Sequence, residues 1–331
     1  MLRILHIGFG PLGIKMVADV HERRLGRVTA AIDINPALTG KELRSIVPAA
    51  DAGVRINSSL EDIRDFAAFD AAVVTTSSDL RLCAPTLRAL LTKGMTVVTT
   101  CEEAVWPWLR HKDLANELDA LAKKHSGRLL GTGVNPGAMM DAVPVFVTNV
   151  CKNVTSVEVH RIQDATSRRV PFQKKIGATL DDAGFAAGVK EGWLRHVGLG
   201  ESLHFIAHNL NLPIDNWRES IEPIHATHDM TCALGPIPRG RVAGVRQIGE
   251  GLRNGQAIIK LVFAAAIGQS DPQDRVIIKG EPDLDVVYRG GVHGDIATSA
   301  ITLNAIASLR NAPPGLHTMA TVPMVRCATG S

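Results

Sequence analysis

The stretch GFGPLG at residues 8–13 constrains this chain more than any other. Gly8, Gly10 and Gly13 stand at the spacing G-x-G-x-x-G, at the end of an apolar run (RILHIG) and at the start of PLGIKMVADVHERR, where apolar residues recur at helical intervals. Three glycines at that spacing occur by chance. Here, however, the strand, turn and helix are followed by a second β-rich run, RVTAAID, which ends in Asp33. An acid about twenty residues beyond the last glycine, after a strand, is the context a dinucleotide site requires. Gly8 permits the tight turn, Gly10 lets the backbone approach a pyrophosphate, and Gly13 lets helix and strand pack closely. Pro11 and Leu12 complete the turn, and the free N–H groups of the helix start face the phosphates. Asp33 would accept hydrogen bonds from the ribose hydroxyls and repel a 2′-phosphate, which favours NAD. NADP stays possible if Lys41 or Arg44 reaches that point.

The alternation continues. SLEDIRDF (59–66) reads as an amphipathic helix capped by Ser59, DAAVVTT as a strand, and LCAPTLRALLTK as a helix stopped at Gly94. MTVVTT is a strand, HKDLANELDALAKKHS a solvent-facing helix, and RLLGTG another strand. Strand and helix in repeated succession predict an α/β fold, a doubly wound parallel sheet of Rossmann type. After about residue 140 the pattern changes. SVEVHRIQDAT, GQAIIKLVFAAAI, DRVIIKG and LDVVYRG read as longer strands, with helices at FAAGVKEGWLRHVG and ESLHFIAHNLNL. This predicts a dinucleotide-binding domain over 1–140. A second α+β domain for substrate and dimerisation, with a mixed or antiparallel sheet, spans 141–331. The last helix, GDIATSAITLNAIASLR, lacks charge in its middle and is expected to be buried, packing back on the first domain or on a partner subunit.

Composition excludes several classes of partner. Net charge is +3 with acids and bases mixed along the chain, so nucleic acid and membrane surfaces are not expected. No apolar run is long enough to span a bilayer. The N-terminus enters LRILHIGFG without a charged-then-apolar leader, which predicts a cytoplasmic chain. The five cysteines are scattered and form no CxxC pair, so they read as free buried thiols, with no zinc ribbon.

The chemistry concentrates at strand ends. VVTTSSDL places Thr75, Thr76 and Ser77 at the carboxyl edge of a strand, where hydroxyls line a cofactor crevice or cap the next helix. MTVVTTCEEAVWPW ends the next strand in Cys101, Glu102 and Glu103, followed at once by Trp106, Pro107 and Trp108. Cys101 joins the expected cofactor contacts. A carboxylate beside an apolar, tryptophan-lined wall has its charged form disfavoured, which suits proton transfer near neutral pH. The alternative is a helix start decorated with acids. GTGVNPGAMMD brings Asn135 to the end of a further strand, for cofactor and substrate, with Met139 and Met140 as apolar wall. His204 and His208, and His225 and His228, lack an acid or cysteine at useful spacing, so no metal site is expected. The basic cluster SRRVPFQKK reads as a solvated face, with a secondary role in holding a substrate carboxylate. Tyr288 is the only tyrosine and Val292 follows it at the fourth position, which excludes a Tyr-x-x-x-Lys pair.

Together these stretches, with DATSRRVPFQKKIGATL, HVGLGES and the late PPGLHTM, resemble the 2,4-diaminopentanoate dehydrogenase family. That family includes the native amine dehydrogenases and is distantly related to dihydrodipicolinate reductase. The resemblance implies a homodimer and the reversible oxidative deamination of an amine or diamino acid by NAD(P), with ammonia and a ketone or aldehyde on the other side. It also implies that Glu103, with Glu102 beside it, handles the proton, and that Asn135, Arg161, Trp106 and His196 line the substrate pocket. EVHRIQDATS departs from the reductases, with Arg161 after His160 and Gln163 where a lysine would help. A related C=N or C=O reductase and a non-catalytic NAD-sensing protein remain alternatives on the residues alone.

Overall fold

The computed structural model describes residues 1–330. The chain opens with β1 (Leu2–Ile7), α1 (Pro11–Glu22), β2 (Gly26–Ile32), β3 (Ile56–Asn57) and β4 (Ala71–Val74). These are followed by α2 (Leu80–Thr92), β5 (Thr96–Thr99), α3 (Lys112–Lys124) and β6 (Arg128–Gly131). The middle of the chain holds α4 (Ala142–Val147), β7 (Asn153–Asp164), α5 (Val170–Lys175), α6 (Asp182–Glu191) and α7 (Leu199–Asn209). Strands β8 (Asn216–His225), β9 (Met230–Cys232), β10 (Gly235–Ile237) and β11 (Val242–Arg253) come next, then β12 (Gln256–Ala266), β13 (Gln273–Glu281) and β14 (Leu284–Arg289). Last are α8 (Gly294–Arg310) and β15 (Gly315–His317). Two compact units result, one of Met1–Ala138 with His293–Ser331 and one of Met139–Val292.

In the first unit the strands run in the order β15-β6-β5-β4-β1-β2-β3, every pair parallel. The short runs AAVV and TVVT are buried at every position, as a parallel sheet covered on both faces demands. Successive β1 residues serve opposite faces. Ile4 joins Met16, Val17 and Val20 of α1 and Leu303, Ile306 and Leu309 of α8. Leu5 and Ile7 join Leu87 and Leu90 of α2 and Leu118 of α3 on the other face. The charge-free middle of α8 is thereby explained, and Ser299 of that helix hydrogen-bonds Asp19 of α1. Although α3 carries charge, it buries Ala115, Leu118 and Ala122, so only part of it faces solvent.

SLEDIRDF does not form a helix. Ser59 does cap, in a capping box with Asp62, but only a 3₁₀ turn over Leu60–Asp62 follows, with another over Phe66–Ala68. Nothing in the stretch is fully buried; Leu60, Ile63 and Phe66 pack only at the edge of the core, and a single such turn does not meet the cost of propagating a helix.

The second unit holds a six-stranded sheet in the order β14-β13-β7-β12-β11-β8, antiparallel except for β7 with β12. Helix α6 stops at Glu191 because Gly192 turns left-handed, with φ 82°, so the helix expected to run through Trp193 to Gly198 ends about two turns early. The sequence pattern does not predict strands β8 and β11. Pro223 interrupts one, and Gly244, Gly249 and Gly251 weaken the other. Those glycines are packing devices: a Cβ at Gly249 would lie 3.1 Å from Leu199 and one at Gly251 3.1 Å from Leu203, so their absence lets α7 settle on the sheet. No helix among the described residues is long and apolar enough to cross a membrane.

Candidate active site

The carboxyl ends of the parallel strands collect the expected cofactor residues. Gly8 follows β1 with φ 99°, and a Cβ there would meet the Thr75 carbonyl oxygen at 2.8 Å. A Cβ at Gly13 would meet the Gly8 carbonyl at 2.1 Å, so α1 can approach β1 only without one. Around Gly10 nothing lies within 4 Å of a Cβ position. This is open space at the helix start, with Pro11 at the first helical position and no acid in the first turn. Those features fit a pyrophosphate at the dipole end.

Asp33 lies beyond β2. Its Oδ2 accepts the Phe9 N–H at 2.6 Å and its Oδ1 the Asn35 N–H at 2.7 Å. The carboxylate is thus held by the glycine turn itself, with lone pairs beyond these two bonds left over. Of the hydroxyls beyond β4, Thr75 Oγ1 donates to the Gly8 carbonyl at 2.8 Å, Thr76 contacts the Cys83 sulfur at 3.6 Å, and Ser77 Oγ accepts the Asp79 N–H at 3.1 Å. All three hydroxyls hold the loop beyond β4 in shape.

Cys101, Glu102 and Glu103 lie one strand further along. The Cys101 thiol donates to the Ser78 carbonyl at 3.2 Å; the neighbouring Cys83 sulfur and burial push it well up, so it stays protonated. All five cysteines are free. Glu102 opens a 3₁₀ turn, Glu102–Ala104, and is half-buried. Glu103 makes two contacts through one of its oxygens. Its Oε2 accepts the Leu80 N–H, at the start of α2, at 2.9 Å, and His111 Nε2 at 2.8 Å. The side chain favoured for proton transfer therefore has an oxygen already engaged by two fixed donors, one of them an orphan N–H of a helix start. Nothing in the sequence signals His111, which comes from beyond the Trp106–Trp108 pair. Those two indoles stack tilted, with centroids 4.9 Å apart.

Asp79, Glu103 and His111 bring ligand atoms within 4.8 Å of one another. The arrangement suits a hydrogen-bonded cap better than a cation. It sits on the positive end of α2, and the Nε2 that would bind a metal is held by Glu103. Asn135 is buried after β6, where the Val134 N–H donates to Thr298 of α8 at 3.2 Å.

In the second unit Arg161 is buried on β7, directly opposite Asp274 of β13. Nη1 donates to Asp274 Oδ1 at 2.7 Å and Nη2 to the Val292 carbonyl at 2.9 Å, while the Val292 N–H donates to Asp274 Oδ2 at 2.7 Å. Burial draws the guanidinium down and the Asp274 carboxyl up, against their mutual attraction. The charge of Arg161 is thus matched within the fold. His196 stacks on Phe263, with centroids 4.5 Å apart. Arg168 is not on a solvated face; it is buried over the Phe172 ring, 4.2 Å from its centroid. Met139 is buried, and Met140 belongs wholly to the core of this unit.

Two buried histidines give a pH signature. Burial pushes His6 down to about 4, and burial with the charges of Lys175 and Arg161 pushes His196 down to about 3. The unfolded chain takes up protons on both as pH falls through about 6.5, and the folded chain does not. Stability should therefore fall between about pH 6.5 and 4, with a slope approaching about 1.4 kcal/mol per pH for each ring. Urea unfolding at intervals across that range measures it. A flat profile down to pH 4.5 would mean that neither ring is buried neutral.

A glycine turn on a helix start, an acid beyond the second strand and paired acids beyond a later one define an oxidoreductase of the nicotinamide-dependent, Rossmann class. The chain belongs to the 2,4-diaminopentanoate dehydrogenase family and is a dehydrogenase of amino compounds. A sequence model of the 2,4-diaminopentanoate dehydrogenase C-terminal domain matches residues 138–331. The 2,4-diaminopentanoate dehydrogenase of Acetoanaerobium sticklandii is 30% identical over 345 residues, covering 99% of this chain and 95% of that protein. Among solved structures, amine dehydrogenase from Mycobacterium smegmatis matches with a TM-score of 0.83 at 21% identity, over 99% of this chain and 97% of that one. The scyllo-inositol dehydrogenase of Lactobacillus casei, solved with bound NAD(H), shares the fold at a TM-score of 0.55 and 13% identity, over 94% and 88% of the two chains.

Proposed function

We propose that this protein is an NAD-preferring dehydrogenase that interconverts a primary amine, or a diamino acid, with the corresponding carbonyl compound and ammonia, and works as a homodimer. The carrying observation is that the glycine turn, Asp33 and the Glu102–Glu103 pair all follow strands of one parallel sheet at the same edge. The 2,4-diaminopentanoate dehydrogenase relative supports the amine class. The nicotinamide, when bound, supplies or accepts the hydride. In the reductive direction Glu102 takes a proton from the attacking ammonia nitrogen, returns it to the departing water, and as the carboxylate so restored stabilises the iminium charge. Glu103, held by Leu80 and His111, fixes the turn on which Glu102 stands. The direct assay follows NADH loss with ammonium and a panel of short ketones, and NAD reduction with 2,4-diaminopentanoate. No ammonium-dependent turnover with any of them would sink the reading. Native mass spectrometry reads the dimer.

Asp33→Ala should weaken NAD by about tenfold to a hundredfold, the loss expected for hydrogen bonds to a charged acceptor. NADP should weaken far less, because the same change removes a repulsion. Cofactor titrations of both forms check this, and an unchanged preference would show that Asp33 does not meet the ribose.

A further inference from the structure

His6 is an unusual occupant of β1. It is fully buried, in a strand whose neighbours Ile4, Leu5 and Ile7 are all apolar core. Its Nε2 lies 3.0 Å from the Gly8 carbonyl oxygen, the same oxygen that accepts Thr75 Oγ1 at 2.8 Å. A nitrogen that close to a carbonyl must carry the proton, so Nδ1 of the neutral ring is a bare acceptor. Among the described residues it meets no hydrogen-bond partner. A leucine would fill this place without a stranded polar atom, which is costly when buried. The imidazole brings one thing a leucine lacks, the bond to Gly8.

That bond acts on a single peptide plane. The Gly8 carbonyl and the Phe9 N–H belong to the same rigid planar unit. Its oxygen end is held by His6 and Thr75; its nitrogen end donates to Asp33 Oδ2 at 2.6 Å. Fixing one end fixes the other, and with it the direction in which Asp33 presents its carboxylate and the entry to Gly10. The ring also stands where a Cβ on Gly13 would reach it, at 3.0 Å, so strand, turn and helix meet at this nitrogen. We infer that His6 is a positioning residue for the dinucleotide, which acts through the Gly8–Phe9 peptide to aim Asp33 and hold the glycine turn open to the pyrophosphate. The inference rests on the reading of this turn as the cofactor site.

The test compares His6→Leu, which keeps the bulk and loses the donor, with His6→Gln, which can return an N–H to the same carbonyl. NADH affinity is read by fluorescence titration, kcat and the KM for NADH by steady-state rates, and stability by unfolding of the cofactor-free protein. His6→Leu should raise the Kd and KM for NADH about tenfold, as for one lost hydrogen bond that positions a charged group, with a much smaller change in kcat. His6→Gln should restore most of that affinity. Cofactor-free His6→Leu should unfold no earlier than wild type, because the stranded acceptor is gone. Should His6→Leu not fold, Thr75→Val removes the other donor to the same oxygen and should move NADH affinity in the same direction. An unchanged Kd in whichever of these variants folds, with wild type binding NADH, overturns the inference alone. Equal loss in the Leu and Gln variants alongside lowered stability makes His6 a packing residue and also overturns it. If wild type fails to bind NADH, both the inference and the cofactor reading fall.

Discussion

Glu102→Gln is expected to lower kcat for amine oxidation by about a hundredfold or more while leaving NADH binding within a few-fold, the loss typical of a positioned proton-transfer group. The amide keeps the shape of the side chain but cannot take the proton of the amine or face an iminium with charge. Glu103→Gln should behave differently. Its carboxylate caps α2 at Leu80 and pairs with His111. Neutralising it should cost about 1 kcal/mol of stability, as lost caps do, and weaken NADH through the loosened Ser77–Leu80 loop. Steady-state kinetics with NADH titration of both variants separates the roles. Turnover abolished by Glu103→Gln and spared by Glu102→Gln would return the proton to Glu103.

Asp274→Ala should destabilise the second unit by about 3–5 kcal/mol, because it leaves the Arg161 guanidinium buried without its counter-charge. Desolvation already works against both members of the pair, as the opposing shifts of Arg161 and Asp274 show. The double variant Arg161→Met with Asp274→Leu should recover most of the loss, since replacing a buried pair by apolar residues is often neutral. Urea unfolding followed through Trp193 and Trp217, both in this unit, reports it. A loss below about 1 kcal/mol for Asp274→Ala would place the pair in a solvated setting.

Local chemistry made part of this molecule legible from its sequence. The glycine spacing, the strand before it and Asp33 after it are a contiguous device, because a turn, a helix start and a strand end are short-range structures. The parallel sheet followed from the same logic, since apolar runs of four to six residues between helices have few other ways to be buried. The family followed from longer strings such as GTGVNPG and DATSRRVPFQKKIGATL.

What depended on contacts distant in sequence was not legible. Arg161 is the one arginine of its strand as the sequence is read, and its counter-charge Asp274, far along the chain, appears opposite it only on the neighbouring strand. Glu103 stands in the sequence as one of two adjacent acids, and that Leu80 and His111 share one of its oxygens appears only in the fold. His6 reads as one polar residue in an apolar strand until the Gly8 carbonyl turns toward it. β11 reads as glycine-weakened chain until Leu199 and Leu203 occupy the space its glycines leave. In each case the sequence determined which side chain was present, and the tertiary structure decided its partner. A side chain's chemistry is intrinsic, but its charge, exposure and hydrogen bonds are settled only by what the fold places within about 3 Å of it.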